Sequence, residues 1–226
     1  MKGIKWTEIL PNSKAKRTII VGSGTSLSGF NFGELNLLNC FIIAVNGAGN
    51  SLPMANAWFT LDPWGLNGPQ LPKKFYGKMY AAVPDDYGTP SARCPAHRVT
   101  PDRRILFLHR LMSHNYVDIS SDSAFKLRLS EDRSCISTGN SGYGALNLAY
   151  HLHAEKILLL GIDGGSGYYY NSTQRTRPLN SLPKLFESAK EQLDKRGTKV
   201  FNGSPNSSVK CFDRGTIEQG LSWIIS

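Results

Sequence analysis

The sequence predicts an α/β fold, a Rossmann-like and mostly parallel sheet with helices on both faces. Three observations carry that prediction. Short apolar runs recur between turn signals: "TIIVG" (18–22), "FIIAVN" (41–46), "AWFTLD" (57–62), "KMYAAVP" (78–84), "ILFLH" (105–109), "KILLLGID" (156–163) and "KVFNGSP" (199–205). Their apolar content is continuous rather than alternating, as in strands buried on both faces. Segments with helical spacing lie between and after them, and a sheet built this way binds ligands at the carboxyl ends of its strands.

The first strand runs into "VGSGTSLSG" (21–29). A Gly-X-Gly after a strand lets backbone approach a phosphate and offers N–H groups to it, which makes Gly22, Ser23 and Gly24 candidate donor-binding residues; an ordinary tight turn is the alternative. The dinucleotide fingerprint is incomplete, because Leu27 occupies its third glycine position and the second strand ends on Asn46 where a ribose-binding carboxylate belongs. NAD is therefore not the expected ligand. In "AVNGAG", Asn46 is suited either to reading a base or ribose or to a turn with left-handed geometry. The third strand ends in "LDPW", where Asp62 beside Trp64 is a candidate base or else a helix cap or Asx-turn residue. "PDD" (84–86) resembles a metal-binding acidic pair, but such dipeptides are common in loops, and no metal is expected.

In 141–153 the residues Ala145, Leu148, Ala149 and Leu152 follow a helical spacing, predicting a helix with one face on the sheet. Its start offers the Ser141–Gly142 pair and a positive dipole end to an anion, unless Asn140 or Ser141 simply caps the helix. The next strand delivers Asp163 to the same edge of the sheet. A second helix is predicted over roughly 182–196, stopped by Gly197, and a third over 216–225. Between them, 164–183, "GGSGYYYNSTQRTRPLNSLP", has little apolar content. A loop that long in a compact domain is expected to be functional, and its tyrosines and arginines suit a lid.

The length of 226 residues suits a single domain, 1–226, with this lid as its insertion. Subtracting 17 acidic from 26 basic residues leaves +9, which implies a polyanionic partner or anionic substrates. No apolar run approaches the roughly 18 residues of a membrane span. The N-terminal stretch lacks a signal-peptide core, so a cytoplasmic location without a membrane partner is expected. Cys40, Cys94, Cys135 and Cys211 contain no CxxC pair and are expected to be free, buried thiols. His151 and His153 fall on different helix faces and make no metal site, "CPAH" (94–97) is an isolated pair, and no Gly-X-Ser-X-Gly elbow supports a serine hydrolase.

Taken together, "VGSGTSL", "AVNGAG", "NSGYGALNLAYHLHAEKILLLGID" and "VFNGSPNSSVKCF" (200–212) resemble the Gly-rich loop, nucleotide-contacting Asn, central helix and strand, and last core strand of the bacterial sialyltransferases. The wider group includes 6-hydroxymethylpterin diphosphokinases and phage proteins. The resemblance implies a GT-A-variant fold with Gly22, Ser23 and Gly24 near donor phosphate. It implies Asn46 near ribose or base, and Ser141 and Gly142 near the leaving group. Tyr168, Tyr169 and Tyr170 fall where family tyrosines stabilise the departing phosphate without a metal; spacing does not choose among them, and Tyr169 is our candidate.

Those sialyltransferases carry a general-base histidine after the lid, whereas no histidine follows His153 here. Asp62 or Asp163 would have to serve instead. The expected function is transfer of a sugar from a nucleotide-sugar donor to a hydroxyl acceptor, with no resident cofactor. Hydroxylated or hydroxymethylated pyrimidines of phage DNA, in a host cytoplasm, are the first acceptor to consider, with Arg175 and Arg177 holding phosphates. The alternatives are a pterin or nucleotide diphosphokinase and a non-catalytic nucleotide-binding module.

Overall fold

The computed structural model describes residues 6–63, 71–85, 103–111, 128–137, 139–170 and 179–226. Nine strands form one sheet: β1 (Arg17–Val21), β2 (Phe41–Val45), β3 (Ala57–Thr60), β4 (Lys78–Val83), β5 (Ile105–Leu111), β6 (Cys135–Ser137), β7 (Lys156–Leu160), β8 (Lys199–Asn202) and β9 (Asp213–Arg214). Every pairing is parallel, in the order β6-β5-β4-β3-β2-β1-β7-β8-β9. The chain builds outward from β1 to one side, then returns to add β7 on the other. Order therefore reverses between β1 and β7, the position at which an open α/β sheet holds its ligand.

All seven anticipated strands are present. β6 and β9, which were not anticipated, are three and two residues long, too short to register as apolar runs. Helix α1 (Ser141–His151) and helix α2 (Leu182–Lys195) pack on one face, through Leu148, Ala149, Leu185, Phe186, Ala189 and Leu193. Helix α3 (Ile217–Ile225) covers the other face with Ile224 and is opened by a capping box in which Thr216 accepts from the Gln219 N–H. Gly197, at φ 75°, ends the turn after α2 as expected.

The expectation that α1 would bury one face is corrected: all eleven of its residues are buried, and it ends at His151, with His153 left-handed at φ 65°. The cause is a second layer over the helix. Asn147 accepts from the Ser130 and Ser137 N–H groups, both at 2.9 Å, and donates to the Ser130 carbonyl at 3.1 Å. The segment before β6 is thus laid across α1. Cys40, Cys135 and Cys211 are free thiols, but half-buried rather than buried. Burial pushes the Cys211 thiol up to about 11 and raises the other two, against thiolate chemistry at neutral pH. Cys94 and His97 lie outside the described residues. No helix among the described residues is long and apolar enough to cross a membrane.

Asn147→Leu strips the partners from three backbone groups that the fold buries, so it should destabilise the protein by about 3 kcal/mol or more. Urea denaturation of the two proteins measures the difference; a change under about 1 kcal/mol would mean that the segment before β6 contributes little to holding α1 in place.

Candidate functional site

At the carboxyl ends of β1, β2, β3, β5 and β7 lies a cavity of about 330 Å³. Eight of the sequence candidates line it: Gly22, Ser23, Gly24, Asn46, Asp62, Ser141, Gly142 and Asp163. They arrive from five separate segments and meet because the parallel sheet brings every strand's carboxyl end to one edge. Arg175 and Arg177 lie outside the described residues, as do Trp64 and Asp86.

The glycine-rich loop differs from the expectation of freely available amides. Gly22 donates to the Leu160 carbonyl at 2.8 Å and Gly24 to the Gly161 carbonyl at 2.9 Å, so both N–H groups extend the β1–β7 pairing past the strand ends. The closeness explains the glycine at 22, where a Cβ would lie 2.5 Å from the Gly161 oxygen. Ser23 lines the cavity with its Oγ shielded from solvent and without a hydrogen-bond partner.

Asp163 is committed to this loop. One carboxylate oxygen accepts from the Ser26 N–H at 2.8 Å and the other from the Ser26 hydroxyl at 2.7 Å. Ser26 Oγ also lies 2.9 Å from Ser204 Oγ, which ties in the turn after β8. Both carboxylate oxygens of Asp163 thus hold the loop in place.

Asp62 is placed differently. Among the described residues its carboxylate accepts no hydrogen bond; the residues it would cap, from 64 on, lie outside them. It is open to solvent at the cavity mouth, yet enough protein surrounds the carboxyl to raise it above the ordinary carboxylate range by desolvation; Arg110 opposes that shift. The Thr60 hydroxyl donates to Asn46 Oδ1 at 2.7 Å and accepts from the Asp62 N–H at 3.0 Å, coupling the ends of β2 and β3. Asn46 is left-handed, at φ 52°, as its turn reading expects, and it also lines the cavity. With Oδ1 held by Thr60, its amide nitrogen is the group left to address a ligand.

At the start of α1, Asn140 Oδ1 accepts from the Gly142 N–H at 2.7 Å. Asn140 is therefore the cap, and the Gly142 amide is occupied rather than available to an anion. Ser141 Oγ accepts from the Leu61 N–H at 3.3 Å. Of the three tyrosines, Tyr168 lines the cavity. The Tyr169 hydroxyl instead donates to Ser51 Oγ at 2.8 Å, and its ring packs on Phe32. Sequence reasoning missed Arg110, which lines the cavity and donates to the Leu61 carbonyl at 3.4 Å. Its signal was the placement of a cation within the last residues of a buried strand. His151, facing Asn147 and the Cys135 carbonyl, and His109, 2.6 Å from Asp85, do not line the cavity.

No family model matches the sequence, and no curated protein does. Among solved structures, MAf glycosyltransferase from Magnetospirillum magneticum AMB-1 aligns with 99% of this chain at a TM-score of 0.58 and 11% identity. The fold is shared with a glycosyltransferase. This chain spans 39% of that protein's length. The sialyltransferase CstII from Campylobacter jejuni, solved with the substrate analogue CMP-3FNeuAc, aligns with 88% of this chain and 85% of its own at 14% identity and a TM-score of 0.45.

Asp163→Ala removes both acceptors from Ser26 and should lower stability by about 2–3 kcal/mol. Ser26→Ala should cost less, because its N–H keeps a carboxylate partner. Chemical denaturation of both variants tests the order; equal effects would contradict the two-point clamp.

Proposed function

We propose that the chain transfers a sugar from a nucleotide-sugar donor to a hydroxyl acceptor. The observation that carries this reading is the cavity itself, at the point where strand order reverses, with Asp62, Arg110, Asn46 and Tyr168 converging on it in a fold shared with a glycosyltransferase. In this reading the donor's nucleotide lies along the loop at 22–25, and the Asn46 amide addresses its ribose or base. Arg110 offsets the negative charge of the phosphate or of an acidic sugar.

Asp62 acts as general base. It takes the proton of the acceptor hydroxyl as that oxygen bonds to the anomeric carbon, while the bond from carbon to phosphate oxygen breaks and the nucleotide leaves with the electron pair. The Tyr168 hydroxyl donates a hydrogen bond to the departing phosphate. A base with a raised carboxyl retains more driving force for proton transfer than an ordinary aspartate, as general-base catalysis near neutrality requires. This provides a role for a carboxylate where the resembling sialyltransferases use histidine. The finer proposal of hydroxylated pyrimidines in DNA as acceptor is left to the transfer assay, since Arg175 and Arg177, its expected phosphate contacts, lie outside the described residues.

The first experiment is a thermal-shift screen of nucleotides and their sugar conjugates, with and without magnesium, followed by transfer assays on saccharide and hydroxymethylated-DNA acceptors. Asp62→Asn should retain the donor-induced shift and lose about 100-fold or more in kcat. Loss of binding with Asp62→Asn, or full turnover, would refute its assignment as base. The rate should rise with pH through the Asp62 pKa, which lies above the usual carboxylate value, because the working form is the anion. Stability runs the other way: the native state holds that proton longer than the unfolded chain, so Asp62 weakens the fold progressively as pH rises through the window between its unfolded and folded values. Asp62→Asn should accordingly melt slightly higher than the parent at neutral pH.

A further inference from the structure

In an all-parallel sheet the starts of the strands share one edge, opposite the cavity. Cations recur along that edge. Arg17, Lys78, Lys156 and Lys199 are the first residues of β1, β4, β7 and β8, and Arg103 stands two residues before β5. The acidic groups there are Glu155, held by Lys16 at 2.8 Å, Asp194, held by Lys190 at 2.7 Å, Glu131 and Asp132 before β6, and Asp213, the first residue of β9.

Exposed apolar side chains concentrate at the same edge. Of the seven large hydrophobic residues exposed among the described residues, five belong to it: Leu10, Leu37, Met54, Tyr76 and Ile225; the other two are Leu111 and Tyr170. Their placement follows from the chain. Leu37 lies four residues before β2, Met54 three before β3 and Tyr76 two before β4. Ile225 ends α3, where the Lys156 amine reaches the Trp223 carbonyl at 3.1 Å. Leu10 follows Ile9, whose N–H is bonded to the Arg133 carbonyl just before β6. Leu37 is 86% exposed, Tyr76 71% and Met54 64%. Isolated exposed apolar residues are ordinary, whereas five exposed on the edge that also carries the cations of the strand starts point to a binding surface.

We propose that this amino edge is a peripheral docking surface for an anionic lipid bilayer. Protruding Leu, Met, Ile and Tyr side chains suit the interface between headgroups and acyl chains, and the surrounding Lys and Arg suit anionic headgroups. A nucleic acid would use the cations but give no role to Leu37, Met54 and Leu10, because aliphatic side chains do not stack on bases. The expectation of no membrane partner rested on the lack of a spanning segment, which does not bear on a peripheral contact. Docking by the amino edge leaves the cavity, one strand length away, open to water.

The test is flotation of the full chain with vesicles of phosphatidylcholine alone, or of phosphatidylcholine mixed with phosphatidylglycerol. Binding to the mixed vesicles and not to phosphatidylcholine alone is expected. Leu37→Ser with Met54→Ser, and separately Lys78→Glu with Lys199→Glu, should each weaken it by about tenfold, with melting temperatures confirming the fold. No flotation with the mixed vesicles would overturn the proposal. So would binding that charge reversal removes and Leu37→Ser with Met54→Ser leaves unchanged, or that a DNA duplex displaces with that same dependence, since the edge would then be a polyanion site. The readout is independent of turnover, so its failure is distinct from failure of the sugar-transfer reading.

Discussion

Everything at the site depends on how β1 is held between β2 and β7. The strands Arg17–Val21 and Lys156–Leu160 pair in parallel along their full length, and the pairing does not stop where the strands do. Gly22 and Gly24 carry it onward to the carbonyls of Leu160 and Gly161, which keeps two loops that would otherwise diverge in contact at the reversal of strand order. The loops then separate around Asp163, whose carboxylate spans the gap to Ser26. A side chain at 22 or 24 would strike backbone or this carboxylate, at 2.5 Å and 2.3 Å respectively. The glycines are therefore explained first by the close approach of protein to protein.

That point separates what was legible in the sequence from what was not. Continuous apolar runs mark strands buried on both faces, and in this chain each marked one belongs to the sheet. Eight of the eleven residues picked as a site line one cavity, because residues at the ends of parallel strands converge whatever their identity. Individual roles were less legible, since they depend on which partner a group meets across the sheet. Asp163 and Asp62 look alike as acids ending strands, yet one finds Ser26 at bonding distance and the other accepts no hydrogen bond among the described residues. Tyr168 and Tyr169 are adjacent in a triplet, and only the turn after β7 decides which faces the cavity and which reaches Ser51. Asn140 was weighed as a cap, but that it takes the Gly142 N–H, and so removes a candidate anion donor, requires the backbone geometry.

The polar groups of the cavity divide into those that hold the scaffold and those kept unsatisfied. Thr60 serves the first class, since one hydroxyl orients Asn46 and anchors the Asp62 backbone. The Ser23 hydroxyl belongs to the second, shielded and without a hydrogen-bond partner among the described residues, while Asp62, open to solvent, is a carboxyl that the surrounding protein holds above its ordinary range. An unpaired buried donor costs about 1–3 kcal/mol, and a desolvated carboxylate weakens the fold as pH rises. A chain under selection for stability alone would replace both. Their coexistence in one cavity, beside Arg110, is the kind of local cost to folding that the proposed function would account for.

The division extends to the whole sheet. A parallel sheet has two chemically distinct edges, because all strands point the same way. At the carboxyl edge the strands end in small residues, two acids and one arginine gathered around a cavity. At the amino edge the strands begin on Arg17, Lys78, Lys156 and Lys199, with apolar side chains standing out between them. Strand pairing does not require cations at Arg17, Lys78 and Lys199, which are exposed, whereas β2, β3 and β5 begin on the buried Phe41, Ala57 and Ile105, and Lys156 also ties down the end of α3. Nor does solubility require Leu37 or Met54, which a serine would serve better. A net charge of +9 assigned wholly to an acceptor at the cavity would leave both features without a cause. Assigning the amino edge to a surface accounts for both, and leaves recognition of the acceptor to the residues that line the cavity.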